Sequence, residues 1–334
     1  MISLWDTSGN AVVKALSAER RSAGGVTSGL ALTLIGVVDE AQVHEAEAAA
    51  TIAASAHPCR LLLVVRYDVT DQKSRLDAEV VVGGRLGPGE AVVMRMRGRL
   101  ALHAESVVVP LLAPDVPVVT WWLCEPPERI AYDPLGVIAD RRITDCAMAA
   151  DPVQALAVRA EDYAPGDTDL SWTRTTPWRT LIAGTFDAAP ARPVGATIRA
   201  RRSDPSAALI GGWLTARLGL TPAFEDVDTD RVASLHLDLP DNATVEIERQ
   251  NGNALLRRTG LPDRTLPLVA RPLGEELAEE LRRLDADQPY AAALAAATDM
   301  SGLDERTPTR VHVWKDPALA ERPETANAPA RATS

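Results

Sequence analysis

Four adjacent residues, His57-Pro58-Cys59-Arg60, carry the most reactive-looking chemistry in the chain. A histidine or arginine beside a thiol favours the thiolate, which would make Cys59 a nucleophile or a redox sensor. The same run also reads as a turn feeding a buried strand, with Cys59 packed as a small hydrophobe. A reactive thiol needs exposure, and this context does not suggest it. The other cysteines, Cys124 and Cys146, stand far apart, and without a CxxC pair the chain encodes neither a disulfide framework nor a zinc knuckle. His44, His103, His236 and His312 share no spacing and read as structural or surface residues.

Cofactor signatures are missing as well. No GxGxxG follows the first apolar run, and the glycines at 83, 84, 87 and 89 have the wrong spacing for one. A phosphate loop would need a lysine, and none lies between Lys73 and Lys315. HExxH and GxSxG are likewise absent. These observations argue against a dehydrogenase or kinase acting alone, and no catalytic, cofactor-binding or metal-binding set is assigned. Thirty-five basic against 46 acidic side chains leave a formal charge of −11, which opposes an electrostatic grip on nucleic acid. The most membrane-like window, 106–124, is broken by Pro110, Pro114 and Pro117 and holds Asp115, so no membrane span is expected. With no secretory signal visible in the first twenty residues, the chain reads as cytoplasmic.

The aromatic residues are more informative. They total only 4%, yet Trp121, Trp122, Trp172 and Trp178 cluster in two short segments. Neighbours on a strand point to opposite faces, so one of Trp121 and Trp122 can join a core while the other meets a second layer or a partner. In DLSWTRTTPWR (169–179), arginine beside tryptophan is the pairing favoured at interface anchors. Trp122, Trp172, Arg174, Trp178 and Arg179, with Arg60 as an addition, are therefore candidate partner-binding residues. The alternative is that the rings glue two domains together.

These residues need a scaffold, and the patterning predicts two mixed α/β domains. Residues 10–21 have helical spacing, stopped at Gly24 and Gly25. LALTLIGVV (30–38) and LLLVVRY (61–67) read as buried strands flanking an alanine-rich helix over 39–56, a parallel βαβ start. Residues 78–82 and 91–97 suggest a hairpin, 100–109 a short helix, and 116–122 a central strand. A helix is predicted over 134–148, capped by Asp133, and another over 151–161, capped by Asp151. YAPGDTD (163–169) reads as a hinge or boundary. Thr176 is expected to cap a helix over 176–186, since Thr-Thr-Pro argues against one continuous helix from 169 onward. Beyond it, the pattern gives a strand at 196–201, a helix at 205–220, and antiparallel strands with a turn at Asn251-Gly252. Residues 273–284 form an amphipathic helix whose Glu275, Glu276, Glu279 and Glu280 are expected to face Arg282 and Arg283. The domains are placed at 1–168 and 169–315, with a mobile tail at 316–334.

SAHPCRLLLVV (55–65), VVVPLLAPDVPVVTWW (107–122), RRITDC (141–146) and GDTDLSWTRTTPWR (166–179) together resemble the glucose-6-phosphate dehydrogenase assembly protein family, often called OpcA. The resemblance implies a non-catalytic subunit or allosteric effector that binds that dehydrogenase and favours its active oligomer in the oxidative pentose phosphate pathway. It brings no catalytic residues with it. Two other readings stand beside it. One is an enzyme using Cys59. The other is a sensor of a sugar phosphate or nucleotide, bound at the glycine-rich 83–89 turn or in an interdomain cleft.

Overall fold

A computed structural model describes residues 1–23, 29–83, 89–187 and 192–308. Two sheets organise it. The chain first lays down β1 (Ile2–Leu4), α1 (Gly9–Ser22), β2 (Leu32–Val38), α2 (Val43–Ala56), β3 (Cys59–Arg66), β4 (Arg75–Val82) and β5 (Glu90–Arg97). Two short turns of helix follow, α3 (Arg99–Leu102) and α4 (Glu105–Val108), then β6 (Val118–Trp122), α5 (Pro134–Val137), β7 (Arg141–Thr144), α6 (Pro152–Asp162) and β8 (Asp167–Asp169). The first sheet has the order β1-β4-β5-β3-β2-β6-β7-β8. Its centre is parallel, with β2 between β3 and β6, and an antiparallel β4–β5 pair leads to the edge.

Every residue of β2 is buried, as a near-continuous run of β-branched and aliphatic residues requires when both faces are covered. On one face Val12 and Leu16 of α1 pack with Leu62, Val64 and Trp122. On the other, Ala46, Ala49 and Ala53 of α2 pack with Leu61, Leu63 and Trp121. The adjacent tryptophans thus divide between the two layers, as strand alternation demands.

A long helix, α7 (Leu170–Asp187), leads into the second sheet: β9 (Gly195–Ala200), α8 (Pro205–Leu218), β10 (Ala223–Asp226), β11 (Ser234–Asp238), β12 (Thr244–Gln250), β13 (Asn253–Arg258) and β14 (Leu261–Pro267). Its order is β10-β9-β11-β12-β13-β14, antiparallel except for β9–β10. Asn251 and Gly252 both have positive φ (46° and 80°), which makes the two-residue β12–β13 turn of the type matched to strand twist. Trp178 and Ile182 of α7 and Ile210 and Leu214 of α8 cover one face. The chain then returns to the first sheet, where Leu277 and Leu281 of α9 (Leu273–Leu281) join the α2 layer. Finally α10 (Gln288–Ala297) lies close against α8: a Cβ on Gly212 would meet the Ala293 carbonyl oxygen at 2.1 Å.

Three local expectations are corrected. Residues 134–148 do not form one helix. Asp133 caps Leu135 N at 2.9 Å, but α5 ends after one turn and Arg141–Thr144 pairs with β6. Within 163–169, read as a hinge or boundary, Asp167–Asp169 is buried as edge strand β8. Helix α7 runs unbroken through Pro177, held by Trp172 on one side and Trp178 on the other. Glu276 and Glu280 turn inward instead of pairing along their own helix; Glu279 alone meets Arg282, at 3.1 Å. Neither edge strand β10 and β14 nor α10 carried a recognised signal. The expected stop at Gly24-Gly25, the core of the glycine-rich 83–89 turn and the tail at 316–334 lie outside the described residues.

Candidate functional site

The residues singled out in the sequence fall into two groups. Arg60 belongs to the first sheet, where its Nε donates to Glu90 at 2.6 Å and its Nη1 to the Leu111 carbonyl at 2.6 Å. Glu90, fully buried, also meets Arg20 at 2.8 Å, so the two arginines share one carboxylate. Trp122 is 1% exposed within the layer beneath α1. Both are buried.

The remaining four lie on α7 and meet at the junction of the two sheets. Trp172, 1% exposed, donates from Nε1 to Asp287 at 2.9 Å and lies 5.9 Å from the Tyr290 ring. The Arg179 guanidinium sits 3.6 Å above the Trp172 ring and donates to the Thr175 and Thr176 hydroxyls, each at 2.9 Å. Burial pushes Arg179 down to about 10, opposed by the nearby carboxylate of Asp287. Trp178, 2% exposed, fills the core of the second sheet, with the Arg249 guanidinium 5.5 Å from its ring. Of the candidate partner-binding residues, the three tryptophans and Arg60 are interior. Large rings at a layer junction remove more apolar area from water than any exposed contact would.

Arg174 and Arg179 are only partly buried, and Arg174 stands 26% exposed at the wall of a cleft between the sheets. It holds Asp145, at the C-terminal end of β7, through Nη1 and Nη2 at 2.7 and 2.6 Å, and it reaches Glu276 of α9 at 2.8 Å. Further inside, Arg141 donates to Glu280 at 2.5 Å and to the Asp285 carbonyl at 2.9 Å, while the Thr173 hydroxyl gives its hydrogen to Glu280 at 2.6 Å. Arg142 pairs with Asp167 of β8. Asp169 accepts from the Thr144 hydroxyl and the Cys146 and Ser171 amides. Burial raises the Glu276 carboxyl, opposed by Arg174, and raises Asp169, where the Asp145 charge adds to the effect. These pairs connect β7, β8, α7 and α9. Once both partners are buried, removing either one leaves an uncompensated charge.

The thiols are poorly placed for nucleophilic chemistry. Burial pushes Cys59 up to about 12 and Cys124 up to about 11, and it raises Cys146 far above the ordinary thiol range. Alkylation of the native protein near pH 8 is therefore expected to leave Cys59 and Cys146 unmodified, with all three thiols reacting once denaturant is added. Rapid modification of Cys59 in the native state, read by peptide mass spectrometry, would contradict this burial.

The order in which strands are added across the first sheet reverses between the parallel strands β2 and β6, where doubly wound sheets often open a crevice for nucleotides. Gln42 Nε2 bridges from the end of β2 to the Leu123 carbonyl at 3.2 Å, and Asp39 and Glu125 line the space. Carboxylates there oppose a pyrophosphate. Among the described residues no group of three His, Cys, Asp or Glu could hold a metal ion, and no helix is long and apolar enough to cross a membrane.

Two mixed α/β sheets clamped through a buried ion-pair junction define a two-lobed α/β protein. Comparison with known proteins identifies its family. Residues 50–161 match the glucose-6-phosphate dehydrogenase subunit N-terminal domain, and residues 165–294 match the C-terminal domain of the same subunit. The chain belongs to this glucose-6-phosphate dehydrogenase subunit, or OpcA, family. It is also similar to the OxPP cycle protein OpcA of Synechocystis sp., 28% identical over 187 residues, which span 52% of this chain and 39% of that protein. The chain thus aligns to less than half of that relative's length. No solved structure matches it significantly.

Proposed function

We propose that this chain is a non-catalytic subunit of glucose-6-phosphate dehydrogenase. It binds the enzyme in the cytoplasm and favours its active oligomer in the oxidative pentose phosphate cycle. The observation that carries this reading is that both halves of the chain match successive domains of one dehydrogenase subunit. The side-chain chemistry supports it. Cys59 and Cys146 are buried, and Arg60, Arg141, Arg142 and Arg174 are tied into ion pairs that hold the fold together.

The mechanism is a population shift, in which the subunit binds the active form of the enzyme more tightly than the inactive form. A tenfold preference corresponds to about 1.4 kcal/mol of coupling. The buried rings at Trp172 and Trp178 act in this scheme by fixing the relation of the two sheets, and so the surface the enzyme meets. Neither nucleic acid nor membrane takes part. Sedimentation of the chain with the dehydrogenase of the same organism tests the association: a faster boundary than either protein alone is expected, and two independent boundaries at micromolar concentrations would refute it.

A further inference from the structure

Two buried hydrogen-bond donors stand at the crevice beyond the C-terminal ends of β2 and β6. Arg159 of α6 is 6% exposed. Its Nη2 donates to the Pro127 and Glu128 carbonyls at 3.0 and 2.7 Å, which fixes the guanidinium, yet Nη1 has no acceptor among the described residues. Asp162, a carboxyl on which the Arg159 charge acts, accepts from the Ala131 amide at 3.0 Å instead. Trp122 of β6 is 1% exposed, and its indole Nε1 is also without a partner there. Arg159 lines a cavity of about 420 Å³, and Trp122 an adjoining one of about 390 Å³. Asp39, Cys124, Glu125 and Pro126 line both, so the two cavities meet at these residues. Folded proteins seldom leave buried donors unpaired, and a ligand in the crevice would supply both acceptors.

The charges around the crevice select the ligand. Arg66 is matched by Asp133, and Asp145 by Arg174, so neither pair is open to a newcomer. Arg159 then stands against Asp39, Glu125 and Glu128, an excess of carboxylates that opposes a phosphate. Glu125 is exposed, and its carboxylate has no partner among the described residues. An ionised carboxylate only accepts, so its natural complement is a pair of adjacent hydroxyls. Hydroxyl oxygens and ring nitrogens in turn accept from a guanidinium or an indole N–H. Leu123, Met148, Ala155 and Val158 give the larger cavity an apolar wall for a ring, and its volume suits a small metabolite.

We propose that this crevice binds an uncharged small molecule carrying a vicinal diol on a ring, the chemistry that a nucleoside and a simple sugar share. Glu125 accepts from the diol, while Arg159 Nη1 and Trp122 Nε1 donate to the ligand. This site goes beyond subunit association and does not depend on it. The test is calorimetry of the full chain with adenosine and with methyl glucoside, which distinguishes the two sources of the diol. At least one of them is expected to bind with a dissociation constant below about 1 mM. The phosphorylated counterpart of the one that binds, AMP or glucose 6-phosphate, should bind about tenfold more weakly or worse. Glu125→Ala should weaken binding by about tenfold, as should Arg159→Met, whose fold is checked by near-ultraviolet circular dichroism. Because Glu125 is exposed, its variant keeps the test open even if Arg159→Met does not fold. Cys124 lines both cavities and is half-buried, so saturating ligand should slow its alkylation in the native protein by about fivefold or more. No heat from either diol at about 5 mM, an equally tight phosphorylated counterpart, equal affinity in Glu125→Ala, or unprotected Cys124 overturns the site. Glu125→Ala should still sediment with the dehydrogenase, so loss of this site and loss of the subunit reading give different results.

Discussion

Replacing Arg174 by methionine is expected to remove about 3–5 kcal/mol of folding stability, measured by urea unfolding. The substitution keeps an apolar stem but leaves Asp145 and Glu276 without the cation both of them share. Both carboxylates are buried, and Asp145 also acts on Asp169 behind it, so repulsion replaces attraction in a region that water enters poorly. Adding Asp145→Asn and Glu276→Gln to the methionine variant should restore most of the loss, because the residual charges are then gone. A loss under about 1 kcal/mol would mean that the pairs behave as solvated surface bridges. The junction between the sheets would then be held by apolar contacts alone.

Trp178→Ala is the second large effect, also about 3–5 kcal/mol, from a ring that is 2% exposed and packed with Ile182 and Ile210. Trp172→Ala should cost a similar amount, losing in addition the Nε1 bond to Asp287 and the stacked Arg179. These outcomes separate two roles that arginine–tryptophan segments can play. If the rings were partner anchors, alanine would abolish binding while stability stayed intact. If they position the lobes, stability falls first, and Trp178→Phe, which keeps most of the packing, retains both fold and binding. Thermal unfolding and sedimentation of the same variants decide between them.

The legible parts of this fold were those with local causes. The apolar run at β2, the Asp133 and Asp151 caps, and the Asn251-Gly252 turn each carry their signal within a few residues. What the sequence hid was long-range. Arg141 and Arg142 look like solvated helix positions until Glu280, 139 residues away from Arg141, and Asp167, 25 residues from Arg142, are brought against them. Glu276 and Glu280 look like a water-facing stripe for the same reason. Pro177 looked like a breaker, yet packing on both sides of α7 outweighs one lost backbone hydrogen bond.

Arg174 was visible as chemistry, but its partners were not. The segments 55–65, 107–122, 141–146 and 166–179, read together, pointed to the family.

The central claim, a subunit that changes another enzyme's rate without catalysing anything itself, is tested most directly by NADPH production. Glucose-6-phosphate dehydrogenase of the same organism is assayed with increasing amounts of this chain, and the chain is assayed alone. A saturable change in the dehydrogenase rate at micromolar chain, with no NADPH formed by the chain alone, is the predicted result. NADPH formed by the isolated chain, or a dehydrogenase rate indifferent to it at every ratio, would contradict the account.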